Sequence, residues 1–249
     1  MGGELVSLRM LVVAAEQPEL DLWRQGASMA SVPVDFLGQE PAAAAGTLSN
    51  GGADICVLDG ALSDADKSAV VQAARRARPT PMVFVTAKGE SPRIDGVSGL
   101  LAKPKTLDDA RRLAEICIRT KIPTRVLVVD DSSTMRSIVR KILSASRFAL
   151  DVHEAVEGIA ALNALKSGNF GLVFLDYNMP GFNGFETLSE IKRESPTVAV
   201  VMMTSTVDIA VVERAHKAGA FGFLKKPFYP TDIDAVLERY YCVHVADAV

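Results

Sequence analysis

Four groups of side chains in the second half of the chain have the chemistry to gather a cation and an anion: the pair Asp130-Asp131, the lone Asp176, the hydroxyl of Thr204 and the ammonium of Lys226. Each stands at the end of a short apolar run. Asp130-Asp131 follow Val126-Leu127-Val128-Val129, and Asp176 follows Leu172-Val173-Phe174-Leu175. Thr204 follows Val198-Ala199-Val200-Val201-Met202-Met203, and Lys226 closes Phe221-Gly222-Phe223-Leu224-Lys225. Three carboxylates held close together repel one another, and a divalent cation relieves that repulsion. An all-oxygen shell favours Mg2+ over zinc or copper. The lysine and threonine are then left to hold an anion beside the metal.

Runs of this kind, separated by helix-length amphipathic stretches, read as parallel strands buried on both faces. Such a sheet presents its functional groups at the carboxyl ends of the strands, which is why residues far apart in the chain are expected to converge.

With Asp176-Tyr177-Asn178-Met179-Pro180-Gly181 and the closing Lys226-Pro227-Phe228, these motifs resemble the receiver domain of two-component response regulators, over roughly residues 124 to 241. The resemblance implies a flavodoxin-like (βα)5 fold. It implies phosphoryl transfer from a phosphohistidine on a histidine kinase or phosphotransfer protein to a carboxylate oxygen of Asp176. By the same resemblance Asp131 and Asp176 bind Mg2+ directly, Asp130 acts largely through water, and the main-chain carbonyl of Asn178 adds a ligand. Lys226 would hold one phosphoryl oxygen and Thr204 another. Phe223, three residues before Lys226, falls at the family's rotamer-switch position, with Ser205 small enough to let the ring pass. A phenylalanine has no phenolic hydroxyl, so its inward and outward states must differ by packing. Asn178 and Thr206, two residues beyond Asp176 and Thr204, stand where family members tune access of the hydrolytic water.

The first half repeats the pattern. Aligning strand ends pairs Ala14 with Asp130, Asp59 with Asp176, Thr86 with Thr204 and Lys103 with Lys226, at offsets of 116, 117, 118 and 123 residues. Spacing that nearly constant marks two copies of one unit. The expected architecture is therefore α/β, two tandem doubly wound domains with parallel five-stranded sheets, at residues 1–122 and 123–249, with Pro123 at the boundary. In the first copy, strands are predicted at Arg9–Ala14, Val32–Leu37, Asp54–Leu58, Met82–Thr86 and Gly99–Ala102. Helices are predicted from Pro18, at Pro41–Ser49, Asp64–Ala77 and Leu107–Arg119, with only a remnant across Gly89–Gly96. In the second copy, helices are predicted near Ser133–Ser146, Glu157–Ser167, Gly184–Arg193, Val207–Ala218 and Pro230–Tyr241.

The first copy lacks most of the chemistry. Its acidic pair is Ala14-Ala15, its Met-Pro-Gly segment is Gly60-Ala61-Leu62-Ser63, and Leu100 stands at the switch position. Asp59, Thr86 and Lys103 persist as a degenerate site with one carboxylate in place of three, Asp59 being available to pair with Lys103. The resemblance makes this copy a pseudoreceiver that does not take phosphate by a Mg2+-dependent route.

Composition narrows the function further. A chain of 249 residues with 49% hydrophobic and 23% charged content is that of a folded globular protein. The net charge of −3 is evenly spread, 14 basic and 15 acidic residues before position 123 and 13 and 15 after it. Neither half has the basic excess that DNA binding requires. Cys56, Cys117 and Cys242 are odd in number and scattered, so neither a disulfide framework nor a metal knuckle is indicated. The longest apolar runs, about six residues, fall short of the roughly 20 that span a bilayer, and no signal peptide is evident. A cytoplasmic protein without membrane insertion is expected.

Eight residues follow Tyr241, so output is expected through phosphorylation-dependent contact with a downstream protein, not an attached effector. Pairing of two chains through the 207–241 face is a further expectation. The chain would phosphorylate and dephosphorylate itself without being an enzyme in the ordinary sense. Two alternatives are a phosphate sink for another regulator and a metal-dependent phosphohydrolase with Asp176 as nucleophile. The phosphohydrolase would want an aspartate two residues later as general acid, where Asn178 stands.

Overall fold

The computed structural model describes residues 7–87, 95–205 and 208–243. Most of the helix remnant expected at Gly89–Gly96 lies outside the described residues, as do Thr206 and Val207. Contacts divide the chain into two compact units, one running to Ile122 and regaining the chain from Tyr241, the other spanning Pro123–Tyr240. The second unit as a compact body thus closes at Tyr240, short of the span expected for it.

The first unit runs β1 (Leu8–Val13), α1 (Gln17–Ser28), β2 (Val34–Gln39), α2 (Pro41–Ser49), β3 (Ile55–Leu58), α3 (Asp64–Arg76), β4 (Met82–Ala87), β5 (Gly99–Ala102) and α4 (Leu107–Arg119). Its strands are ordered β2-β1-β3-β4-β5, all parallel. The second unit runs β6 (Thr124–Val129), α5 (Ser133–Ser144), β7 (Leu150–Ala155), α6 (Gly158–Ser167), β8 (Leu172–Asp176), α7 (Gly184–Glu194), β9 (Ala199–Thr204), α8 (Ile209–Lys217), β10 (Gly222–Lys225) and α9 (Pro230–Tyr241). Its order, β7-β6-β8-β9-β10, is the same doubly wound order, again all parallel. In this order the chain reverses its winding beside the first strand of each sheet, and the crevice there lies at the carboxyl ends.

Local chemistry starts the helices where the chain must leave the sheet. Ser132 caps α5 by accepting from the Met135 N–H, and Ser63 caps α3 by accepting from the Asp66 N–H. Thr106 with Asp109, and Asn183 with Glu186, form reciprocal capping boxes on α4 and α7, satisfying N–H groups that would otherwise lack partners. The central strands β3, β4, β6, β8 and β9 are apolar on both sides because helices cover both faces of each sheet. On one face Leu11, Val13, Cys56, Leu58, Val83 and Val85 pack under α2 and α3. The corresponding face of the second sheet packs Leu127, Val129, Val173, Leu175, Val200 and Met202 against Leu188, Ile191 and Ala215.

Most predicted element ends fall within two residues of those observed. The second strand lies two residues later than predicted. The strand that apolar patterning did not locate is β7, an edge strand only partly buried, whose sequence LDVHEA has no continuous apolar run to reveal it. Cys56 and Cys117 are fully buried, and burial pushes the Cys56 thiol up to about 12, so neither is poised to react. No helix among the described residues is long and apolar enough to cross a membrane.

Candidate functional site

The register of the second sheet brings the four groups level. Val129 of β6 pairs with Leu175 of β8, Asp176 with Met203 of β9, and Thr204 with Lys225 of β10. Asp130 is the first residue past β6, Asp176 the last of β8, Thr204 the last of β9, and Lys226 the first past β10. Parallel strands release their chains at one edge, so all four arrive there together.

Asp130 is completely buried and Asp176 nearly so. Burying carboxylates is costly unless each finds a donor, and Lys226 supplies it to both. Its Nζ lies 2.7 Å from Asp130 Oδ2 and 3.0 Å from Asp176 Oδ1. The Ser132 N–H gives Asp130 Oδ1 a second bond of 2.9 Å, and the Asn178 N–H approaches Asp176 Oδ1 at 3.4 Å. Burial raises the Asp176 carboxyl above the usual aspartate range, Asp130 adds to the rise, and Lys226 only partly offsets it. Burial works against the Lys226 charge too, but its hydrogen bonds to Asp130 and Asp176 outweigh that and hold its pKa above the ordinary lysine range.

Asp131 differs from its two companions in being exposed. Even so, one oxygen from each of Asp130, Asp131 and Asp176 lies within 4.8 Å of the others. Three carboxylate oxygens with no nitrogen or sulfur donor among them, two buried and one open to approach, fit a hard divalent cation. One ammonium against three carboxylates leaves negative charge that such a cation would balance.

The remaining expected residues surround this cluster. Thr204 is buried at the strand end. Ser205 is exposed and accepts a long bond of 3.4 Å from the Asn178 side-chain amide. Phe223 is half-buried against the core under α7 and α8. Gly184, at the start of α7, was not singled out by motif reading. A Cβ there would sit 2.2 Å from the carbonyl oxygen of Asp176, so only glycine lets α7 approach the end of β8 this closely.

The first unit brings Asp59, Thr86 and Lys103 together at the equivalent edge. Lys103 Nζ lies 2.9 Å from Asp59 Oδ2 and 3.0 Å from Oδ1. The Thr86 hydroxyl stands 3.4 Å from Asp59 Oδ1 and accepts the Gly60 N–H at 3.2 Å. A side chain at position 60 would drive a Cβ to 1.9 Å from the Thr86 carbonyl oxygen, so Gly60 lets this loop collapse onto the end of β4.

One expectation needs correction here, since the first site holds two carboxylates, not one. Glu19, in the first turn of α1, is buried and forms a short ion pair with Lys103. Its helix carries it to Lys103, whereas Glu16, the acid nearest the missing pair in sequence, stays exposed. Burial raises the Glu19 carboxyl above the usual range, and its Oε1 has no hydrogen-bond partner. The Ala61 N–H, Lys103 and Glu19 together hold Asp59 below the ordinary aspartate range despite burial. Its donors therefore favour the charged form of Asp59, while burial makes Glu19 the more readily protonated member of the pair.

Residues 126–238 match the family model described as the response regulator receiver domain. The chemotaxis protein CheY-3 of Vibrio cholerae is 35% identical over 119 residues, which are 47% of this chain and 91% of that protein. The chemotaxis protein CheY of Pseudomonas aeruginosa is 33% identical over 119 residues, covering 47% of this chain and 95% of its own. A solved structure of a probable two-component system response regulator/GGDEF domain protein aligns with 94% of this chain and 98% of its own, at TM-score 0.56. At 22% identity that likeness speaks to the fold alone, and it spans both units. Two chemotaxis proteins thus align over nearly their whole length with about half of the chain, the receiver model matches the residues that carry Asp130, Asp131, Asp176 and Lys226, and the chain belongs to the response-regulator receiver family.

Proposed function

We propose that the second unit accepts a phosphoryl group on Asp176 from a phosphohistidine of a histidine kinase or phosphotransfer protein, and that this changes which proteins the chain binds. An Asp176 oxygen attacks phosphorus in line as the phosphorus–nitrogen bond to the imidazole breaks. Water later attacks the same phosphorus, the bond to Asp176 breaks, and inorganic phosphate leaves. In-line transfer needs the acceptor positioned and the equatorial charge neutralised, with little other help from the protein.

Asp131 and Asp176 would hold Mg2+ directly, Asp130 largely through water, with the Asn178 carbonyl as a further ligand. Bound there, the ion would neutralise charge on the carboxylates and on the transferring oxygens. Lys226, already at 3.0 Å from Asp176, is placed to follow the charge onto a phosphoryl oxygen as a point cation. Thr204 would donate its hydroxyl to another oxygen and draw its loop inward, opening room for Phe223 to turn past Ser205. A bias of a few kcal/mol between the two ring positions suffices for such a switch. The 207–241 face would then meet the downstream target or a second copy of the chain. The chemistry is that of a substrate consumed and restored, not of an enzyme turning over a separate substrate.

The observation that carries this reading is the single ammonium of Lys226 reaching both Asp130 and Asp176 beside the exposed Asp131. The first unit, with Lys103 held by Asp59 and Glu19 and no cluster of three acids gathered for a cation among the described residues, would not accept phosphate by this route.

The test is to incubate the full chain with Mg2+ and a small phosphodonor and to follow acid-labile phosphate by mass spectrometry. Asp176→Asn should abolish the label and Asp59→Asn should leave it intact. Label retained in the Asp176 variant would refute the assignment.

A further inference from the structure

Arg136 lies on α5, just past the acidic pair, and most of its side chain is buried. Its Nη1 donates to the main-chain carbonyl of Asp130 at 2.8 Å and to that of Asp131 at 3.3 Å. Its Nε donates to Glu154 of β7 at 3.1 Å, and Arg140 holds the other oxygen of that carboxylate at 3.2 Å. A guanidinium is planar, so two anchored ends fix the position of everything between them. Here they tie the loop bearing the acids to the neighbouring strand.

The first unit serves as an internal control. At the offset of 116 that pairs Ala14 with Asp130, Arg136 corresponds to Leu20 and Glu154 to Gly38. Strand pairing agrees independently, since Val12 faces Gly38 in one sheet and Val128 faces Glu154 in the other. The Leu20 side chain comes within 3.3 Å of where a Cβ on Gly38 would stand, so an apolar contact replaces the ionic one. Both units need a helix held against this strand. The Arg–Glu brace is found in the unit with Asp130-Asp131 and is replaced in the unit with Ala14-Ala15.

We infer that Arg136, oriented by Glu154, is a positioning residue for the cation site. It pins the main chain from which Asp130 and Asp131 project, so the two carboxylates stay spaced for a dication despite their mutual repulsion. The positive charge of the guanidinium opposes a bound cation, and Glu154 balances it, which leaves preorganisation as the net contribution. The inference rests on the reading that these carboxylates hold Mg2+.

The experiment is a calorimetric titration of Mg2+ into the full chain and its Arg136→Met, Arg136→Lys and Glu154→Gln variants, at temperatures where each is folded. Removing a group that orients metal ligands weakens metal binding by about 10- to 100-fold, so Arg136→Met should bind Mg2+ at least about tenfold more weakly. Arg136→Lys should recover part of the loss, and Glu154→Gln should weaken binding by leaving the guanidinium charge unbalanced. The Mg2+ concentration for half-maximal labelling by the phosphodonor should shift in parallel. A purely structural brace would lower the melting temperature and leave the affinity of the folded protein unchanged. Unchanged or tighter binding by Arg136→Met therefore overturns the inference, and if that variant does not fold, wild-type affinity in Glu154→Gln does so. Absence of Mg2+ binding by the unaltered chain would instead overturn the reading of the site itself, and this inference with it.

Discussion

Each unit of this protein holds a lysine between two buried carboxylates, but the acids come from different places. In the second unit both lie at strand ends, Asp130 after β6 and Asp176 on β8, and a third, Asp131, stands exposed beside them. In the first unit only Asp59 comes from a strand end; the other, Glu19, is delivered to Lys103 by α1. A buried ammonium and a buried carboxylate each need a partner, so charge balance constrains such a pocket more tightly than residue identity does. What separates the two sites chemically is the exposed third acid and the brace behind it. The first site sets one lysine against two carboxylates, while the second sets one against three and keeps charge that calls for a cation.

The comparison can be broken most sharply at the lysines. Lys103→Met and Lys226→Met should each destabilise their own unit by about 3 kcal/mol in the absence of metal, because each strands two buried carboxylates. Excess Mg2+ should restore much of the loss for Lys226→Met and none of it for Lys103→Met. Thermal melts of the full chain in chelator and in Mg2+ would show this. Equal rescue of both would mean that the first site is also a metal site.

A smaller effect, of opposite sign in the two units, is expected at the aspartates. Asp59 is held charged by its donors, so Asp59→Asn should cost about 2 kcal/mol, as losing a charged hydrogen bond does. Asp176 is disfavoured as an anion in the metal-free protein, so Asp176→Asn should give a smaller gain in stability at neutral pH in chelator. Denaturant titrations that found both variants destabilised would undo the contrast.

The smallest effect is in pH dependence. The Glu19 pKa is raised by folding, so its contribution is complete below the ordinary glutamate range and is lost as pH rises through the folded value. Asp59 is lowered, so its contribution is present above the ordinary aspartate range and is lost as pH falls through its folded value. The two groups thus oppose each other across the acidic range, Asp59 adding stability as pH rises through it and Glu19 losing it. Glu19→Gln should flatten that loss. Asp176 gives the metal-free second unit a decline of the same sign, which Mg2+ should reverse there and not in the first unit, since metal binds the deprotonated form. Melting temperatures across pH 4 to 8 test both statements.

The amino-acid sequence by itself determined the strand ends, the doubling of the unit and the meeting of Asp130, Asp131 and Asp176 with Thr204 and Lys226. Parallel strands covered on both faces must be apolar throughout and must end at one edge, so the residue that follows each run is placed by the run itself. The edge strand β7 escaped because half of it faces water. Only the tertiary structure decided which helix-borne side chains join those strand ends. Glu19 and Arg136 sit in stretches that read as ordinary amphipathic helix, and periodicity assigns such residues to a face without saying which atom of the sheet edge they touch. That depends on the rotation and approach of the helix, which here carry Glu19 to Lys103 and the guanidinium of Arg136 to the carbonyls of Asp130 and Asp131.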